Sequence, residues 1–307
     1  MTCMGCDYAA RMKPAPVHTV RPASAPAVPA VDRVPPHAYF LVSAVFHYLG
    51  PAFAVLLFAH INPLGVAWLR IASAAVIFAA WRRPWRYYRG LQPSAKRSVL
   101  MLGTVLASMN ICFYLAIDRL PLGTVGAIEF AGPIALAALG MRSGRNFAAL
   151  ALAVAGVYVL TDVRLGGQPL GFAFAFANCA LFVLYIILGH RIAADGGAAG
   201  IDRLGSAMLV AMVVALPIGI RDTLPAFVSP LLLAAGIGVG VCSSVIPYVC
   251  DQLAMARLPR ATFALLLSLL PAMATLIGAV VLHQFPSVVE MGGIALVIGG
   301  VLLHRTT

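Results

Sequence analysis

Charged residues are scarce in this sequence, and their scarcity excludes most soluble folds. Only 10% of the 307 residues are charged, 62% are hydrophobic, and the mean hydropathy is +0.95. Soluble domains carry about 25% charged residues. A soluble core of this length has too little interior to hide so much apolar surface. The composition therefore predicts an all-α polytopic membrane protein.

Acidic residues and histidines are also few, which argues against several kinds of catalytic site. The chain has 10 Asp and Glu residues and 7 histidines, and they are too dispersed for a metal enzyme. The glycine-rich loop that cradles phosphates is missing, so ATP hydrolysis is unsupported. Cys3 and Cys6 have a metal-like spacing, but no second pair completes a site. We expect no metal, no cofactor and no enzymatic activity.

The net charge of +11 raises the question of nucleic-acid binding. The basic residues, however, lie in short connections between apolar runs. That distribution is typical of membrane topology rather than of a phosphate-binding surface. The lipid bilayer, and not a nucleic acid, is the expected surrounding.

Ten apolar runs follow residue 37, and nearly all have about the length that crosses a ~30 Å hydrocarbon core. They cover approximately residues 38–58, 63–81, 98–118, 121–140, 146–161, 169–189, 204–221, 230–252, 259–282 and 286–303. Residues 1–36 differ from them, because seven prolines there prevent a continuous helix. This segment is predicted to be a disordered tail.

Lys and Arg in the connections predict the orientation. Alternate connections, together with both termini, carry seventeen basic residues, and the opposite connections carry only Arg119, Arg164 and Arg221. Cytoplasmic loops are enriched in Lys and Arg. The N- and C-termini are therefore both expected in the cytoplasm.

Two segments 138 residues apart share a pattern. Leu115–Thr124 and Leu253–Thr262 both read Leu-Ala-x-x-Arg-Leu-Pro-x-x-Thr. The offset corresponds to five spans, an odd number, so the copies would enter the membrane in opposite directions. Inverted repeats are typical of secondary transporters, whose substrate site lies near the midplane. We predict two five-helix repeats, residues 37–165 and 166–307, with chance similarity of Ala- and Leu-rich segments as the alternative.

These features resemble the drug/metabolite transporter superfamily, in particular its EamA-type ten-helix carriers and, among them, the threonine/homoserine exporters of bacterial inner membranes. The residues that carry the resemblance are Leu69-Arg70, Met109-Asn110, Phe113-Tyr114-Leu115, Pro121-Leu122-Gly123, Glu129-Phe130-x-Gly132-Pro133, Pro247-Tyr248 and Arg257-Leu258-Pro259-x-x-Thr262-Phe263. The resemblance implies export of a small amino acid and covers roughly residues 38–304.

The sequence departs from that pattern at two acidic positions. A glutamate commonly precedes the proline that matches Pro271, where this chain has Leu270. The family's Gly-Glu pair after the ninth span is here His283-Gln284. Both changes remove a carboxylate, which leaves the cargo and the coupling chemistry open.

Glu129 is the leading candidate for proton coupling. It lies in an almost wholly apolar segment between Pro121 and Pro133, and an ionisable side chain inside a bilayer is a functional candidate. Desolvation disfavours its charged form, so it could alternate between protonated and ionised states. The alternative is a static pair with Arg70.

Arg70 and Asp251 are further charged candidates. Arg70 can hold a substrate carboxylate in a fork or pair structurally with Glu129 or Asp251. Asp251 follows Pro247-Tyr248 near the end of a span. It either replaces the missing acid at Leu270 or marks the cytoplasmic interface.

Uncharged polar residues complete the predicted pathway. Asn110 and Tyr114 are four residues apart and therefore share a helix face. Tyr248 and Ser268 are further candidates, as are Asn178, Tyr185, Ser243 and Ser244; the alternative is that these small polar residues bridge neighbouring helices. Four prolines can free main-chain carbonyls toward a cavity: Pro121, Pro133, Pro247 and Pro271.

Three functions remain in competition. The first is a proton-coupled secondary exporter of small amino acids such as threonine and homoserine, in a bacterial inner membrane. The second keeps the carrier but changes its cargo to another metabolite or a lipophilic cationic drug. The third is a non-transporting membrane scaffold, against which the inverted repeat argues. A homodimer is possible, but no residue establishes it.

Overall fold

The computed structural model describes residues 34–140, 143–162, 168–193, 197–258, 263, 266 and 269–303. The predicted tail, apart from its last three residues, lies outside this part of the chain, and so does Ser268. All regular secondary structure in the described residues is helical.

The α-helices with described bounds are numbered in chain order. They are α1 (Pro36–Leu57), α2 (Pro63–Arg82), α3 (Pro84–Arg89), α4 (Pro93–Ile117), α5 (Leu122–Gly140), α6 (Gly144–Asp162), α7 (Pro169–Ala193), α8 (Gly197–Gly219), α9 (Leu224–Val228), α10 (Pro230–Gly240), α11 (Ile246–Met255), α12 (Leu269–Leu282) and α13 (Val288–Leu303).

Six helical stretches in the described residues are long and apolar enough to cross a bilayer. They are Pro36–Leu57, Pro63–Arg82, Pro93–Ile117, Pro169–Ile192, Ala199–Gly219 and Pro230–Met255. Three shorter apolar helices accompany them, at Gly144–Leu160, Leu270–Leu282 and Val288–Gly300. The chain is a multi-pass membrane protein. The predicted total of ten spans stays a prediction, since part of the ninth, 259–282, is not described.

Several helices begin at a proline, for a simple reason. The first N–H groups of a helix have no partner within it, so a proline there loses nothing and its φ is already helical. In front of α2, Asn62 Oδ1 accepts from Leu64 N at 3.2 Å. In front of α10, Ser229 Oγ accepts from Leu232 N at 3.4 Å. These sequence signals fix where the helices start.

The outer surface of the bundle is apolar. Val76, Tyr158, Val213 and Val280 are all more than half exposed, although they lie within apolar helices. In contrast, Arg70, Asn110, Glu129, Asn178 and Asp251 are each at least 95% buried. Polar residues inside and apolar residues outside is the arrangement that a lipid surrounding favours.

Helix packing brings distant parts of the chain together. Helix α1 packs on α10, α11 and α12, α4 packs on α7 and α8, and α5 packs on α7 and α12. Small residues permit close approach at the crossings. A Cβ at Gly50 would collide with Ser243, and one at Gly240 would collide with Ser73 Oγ and approach Arg70 O to 2.9 Å. Both glycines therefore hold α10–α11 close to α1 and α2.

Candidate functional site

A small cavity lies inside the bundle where α1, α2, α4, α5, α7 and α11 meet. Its volume is about 10 Å³, which is room for roughly one water molecule. The residues that line it are His47, Pro51, Arg70, Met109, Asn110, Phe113, Glu129, Asn178 and Tyr248. Five of the predicted pathway residues line this one space: Glu129, Arg70, Asn110, Asn178 and Tyr248.

Glu129 comes from the middle of α5 and is 2% exposed. Two donors from other helices hold its carboxylate. Tyr48 Oη on α1 donates to Oε2 at 3.2 Å, and Asn178 Nδ2 on α7 donates to Oε1 at 2.9 Å. Pro133 follows one turn later in the same helix, so the Glu129 main-chain carbonyl lacks its usual α-helical donor.

Arg70 lies in α2 and is 4% exposed. Its Nε donates to Ser244 Oγ at 2.8 Å, and Nη2 donates to the Ser243 carbonyl at 2.6 Å and to Tyr248 Oη at 3.4 Å. The guanidinium also lies over two aromatic rings, 5.5 Å from the centre of Tyr114 and 6.0 Å from that of Tyr248. These contacts fix the plane of the guanidinium.

The partner of Arg70 on α10–α11 is available because of a local break in the helix. Residues Val241–Val245 between α10 and α11 form a π-helical segment, and Pro247 follows in the first turn of α11. Pro247 has no N–H, so it cannot donate to the carbonyl of Ser243, four residues earlier. That carbonyl accepts from Arg70 instead. Such π-helical segments often occur at functional sites.

Arg70 and Glu129 do not form an ion pair. Within the described residues, the pairs that approach within 4.0 Å are Arg82–Asp202 and Arg119–Asp118. Arg70 is also unpaired with Asp251, which had been the other structural alternative. The cavity therefore lies between the Arg70 guanidinium and the Glu129 carboxyl group, which are held apart by their own hydrogen bonds.

Asp251 forms a second polar cluster that does not line this cavity. Ser43 Oγ on α1 donates to Oδ1 at 2.6 Å, and Tyr185 Oη on α7 donates to Oδ2 at 3.2 Å. Like Glu129, this carboxylate is clasped by one donor from α1 and one from α7. Phe182 stacks on Tyr185 with the ring centres 5.8 Å apart, and it contacts His47 of the cavity wall edge-on at 6.2 Å.

The remaining predicted residues have different surroundings. Asn110 lines the cavity, but its Nδ2 donates to Leu106 O within its own helix at 2.7 Å. Tyr114 packs its ring on Arg70 and is absent from the cavity wall. Pro121 lines a separate cavity of about 280 Å³, near Gln284. Pro271 lies in the first turn of α12.

Sequence reasoning missed Ser43 and Tyr48. Both are ordinary polar residues in an apolar helix, and their carboxylate partners are 208 and 81 residues away. No local spacing connects such pairs. Only the packing of α1 against α5 and α11 brings them together.

The two departures from the family pattern have distinct surroundings. Gln284 Oε1 accepts from Leu122 N, the first residue of α5, at 3.0 Å. An amide oxygen therefore supplies an acceptor at the start of α5. Leu270 is 3% exposed and lies in the apolar core, so no charge replaces the family's acid at that position.

Comparison with known proteins extends these observations. The model of the EamA-like transporter family matches residues 169–306. The threonine/homoserine exporter RhtA of Salmonella typhimurium (strain SL1344) is 34% identical over 241 residues, which is 76% of this chain and 79% of that protein. RhtA of Escherichia coli (strain K12) is 33% identical over 241 residues, which is again 76% of this chain and 79% of that protein.

The architecture is also found in a solved structure, described only as the crystal structure of a protein. It covers 87% of this chain and 96% of its own, with a TM-score of 0.53 and 19% sequence identity. A similarity at this identity concerns the fold alone.

Proposed function

The chain belongs to the EamA-like transporter family, and on that premise we propose that it exports small amino acids such as threonine and homoserine from the bacterial cytoplasm across the inner membrane. Export would be secondary active transport driven by protons. The observation that carries the proposal is the cavity that Arg70 and Glu129 line together without pairing.

An amino acid is a zwitterion, so it needs a counter-charge for each end. Arg70 offers donors only, and an ionised Glu129 offers acceptors only. Asn178 adds an acceptor at the Glu129 end. Its Nδ2 donates to the carboxylate, which leaves Oδ1 with no partner among the described residues. An ammonium group would donate hydrogen bonds to both the Glu129 carboxylate and Asn178 Oδ1.

The lipophilic-cation alternative is less compatible with these contacts. Burying a second cation beside the Arg70 guanidinium would add a like charge in a region of low dielectric constant. A zwitterion brings a compensating carboxylate to the same place. The cavity residues therefore favour an amino acid over a cationic drug.

Glu129 is the proposed proton carrier. Its burial disfavours a charge, so the carboxylate is stable either with an ammonium group beside it or with its own proton. Tyr48 and Asn178 donate to the ionised form. Glu129 would then alternate between binding the substrate and binding a proton. This alternation couples export of the substrate to entry of protons.

The proposed architecture is ten transmembrane helices in two inverted five-helix repeats. Helix packing supports it, because contacts occur in pairs that a two-fold exchange of halves would interchange. Helix α1 packs on α11 as α7 packs on α4, and α1 packs on α12 as α7 packs on α5. Helices α5 and α12 pack on each other, as do α6 and α13. The termini would lie in the cytoplasm. The site would lie near mid-membrane, between the two repeats.

Transport requires this cavity to enlarge, because room for about one water cannot hold an amino acid. The described conformation would then be the occluded one. Opening toward either face would separate α1 and α7 from the helices that carry Glu129 and Asp251.

Counterflow in proteoliposomes tests the function. Vesicles containing the full-length protein are loaded with unlabelled threonine and diluted into labelled threonine. We expect transient accumulation of label that homoserine competes for and that protein-free vesicles lack. Accumulation of neither amino acid, with well-folded protein in the bilayer, would refute the proposed cargo.

A further inference from the structure

Two hydroxyl groups beside Arg70 are buried without a partner. Tyr114 and Ser243 are both 0% exposed. Within the described residues, neither Tyr114 Oη nor Ser243 Oγ makes a hydrogen bond. Buried polar atoms nearly always have a partner, so two adjacent exceptions need an explanation.

Both hydroxyls belong to the immediate surroundings of the guanidinium. The Tyr114 ring lies against Arg70, with 5.5 Å between Cζ and the ring centre. The Tyr114 hydroxyl lies close to Arg70 and to the Ser243 hydroxyl, but neither contact has hydrogen-bond geometry. The main-chain carbonyl of Ser243 accepts a hydrogen bond from Arg70 Nη2 at 2.6 Å. Three elements, α2, α4 and the π-helical segment, therefore bring hydroxyl and guanidinium groups to one point.

The guanidinium itself has hydrogen-bonding capacity left. Nε and Nη2 are occupied by Ser244, Ser243 and Tyr248. In the described part of the chain, Nη1 donates to no protein atom. Arg70 also lines the cavity, so a ligand that arrives there meets a fixed cation with unused N–H groups.

We propose that Arg70 Nη1, Tyr114 Oη and Ser243 Oγ form a subsite for the carboxylate of the substrate when the cavity enlarges. The inference rests on the proposed function and assigns one end of the amino acid. A carboxylate accepts only, through two oxygens, and these three groups can all donate. Hydrogen bonds to an ionised partner are about twice as strong as neutral ones.

The geometry of the subsite explains why Arg70 is held so firmly. Ser244, the Ser243 carbonyl and two aromatic faces fix the guanidinium before the ligand arrives. A guanidinium that is already fixed loses less entropy on binding than a mobile one. Recognition of the carboxylate would therefore depend on Pro247, which frees the Ser243 carbonyl.

Equilibrium binding to the purified full-length protein tests the subsite. The ligands are threonine and 1-amino-2-propanol, which is threonine without its carboxylate. We expect the amine to bind the wild-type protein at least about tenfold more weakly, because a hydrogen-bonding site rejects ligands that leave it unpaired. Equal affinity for the two ligands would overturn the assignment.

Variants locate the effect. Tyr114→Phe and Ser243→Ala should each weaken threonine binding about tenfold, as expected for the loss of a hydrogen bond to a charged group. The preference for threonine over the amine should fall by the same factor. Tyr158→Phe is the matched control, since Tyr158 is 67% exposed on α6, and it should leave both affinities unchanged.

The outcomes separate the inference from the proposed function. A wild-type protein that binds neither threonine nor homoserine contradicts the function itself. A wild-type protein that binds threonine, with unchanged affinity in both variants, contradicts only the subsite. Thermal unfolding of each variant identifies a folding defect. If Tyr114→Phe unfolds, Ser243→Ala and the amine comparison still decide the question.

Discussion

Arg70 Nη2 donates to the main-chain carbonyl of Ser243 at 2.6 Å, across the interface between α2 and the π-helical segment. The bond depends on Pro247, four residues after Ser243, because proline cannot supply the N–H that an α-helix would place there. A backbone irregularity thereby becomes a fixed acceptor for the guanidinium. It also places Ser243 and Ser244 around Arg70.

Replacing Pro247 with alanine should therefore affect transport more than folding. Alanine restores an N–H that competes with Arg70 for the Ser243 carbonyl. We expect the affinity for threonine to fall about tenfold, since a hydrogen bond of a charged group is involved. Pro217→Ala is the control, because Pro217 lies within α8 on the exposed surface. Equal effects of the two substitutions on threonine binding would contradict this role for Pro247.

Gly240 should be far less replaceable than Gly238, although both lie in α10. A Cβ at Gly240 would collide with Ser73 Oγ, which itself donates to Arg70 O at 3.0 Å, whereas a Cβ at Gly238 meets nothing within 4 Å. Overpacking typically costs about 1–3 kcal/mol. Thermal unfolding should show a lower midpoint for Gly240→Ala and little change for Gly238→Ala. Similar midpoints would mean that α10 and α2 are not packed as described.

The two buried carboxylates should differ in their effect on substrate binding. Asp251 is held by Ser43 and Tyr185 and does not line the cavity. Asp251→Asn should therefore leave the affinity for threonine unchanged. Glu129→Gln should weaken that affinity, because it removes the negative charge beside the substrate's ammonium group. Isothermal titration calorimetry with threonine measures the affinity of each purified variant. A large loss of affinity in Asp251→Asn alone would reverse the assignment.

Sequence reasoning reached the all-helical membrane fold because apolar length and the scarcity of charge are local properties. It also selected Glu129 and Arg70, since ionisable residues in apolar helices stand out without a structure. It left the partner of Arg70 open, and the contacts of Arg70 are two serines and Tyr248 rather than a carboxylate. That outcome depends on how α2 packs against a π-helical segment, which no composition encodes.

Other parts of the site depend on contacts between remote segments. Tyr48 donates to Glu129 across 81 residues of sequence, and nothing in α1 distinguishes it from an ordinary membrane tyrosine. Freed carbonyls were expected near the prolines, but which donor would meet them was not predictable. The role of Ser268 stays a prediction, because that residue lies outside the described part of the chain.

Proton-driven threonine efflux from proteoliposomes tests the central claim, that Glu129 couples the movement of threonine to that of protons. Wild-type protein and Glu129→Gln are compared with and without an imposed proton gradient. Asp118→Asn serves as the control for loss of a carboxylate, since Asp118 lies exposed in the turn after α4. We predict that the gradient accelerates efflux by the wild type and by Asp118→Asn, but not by Glu129→Gln. Normal, gradient-driven efflux by Glu129→Gln would contradict the account.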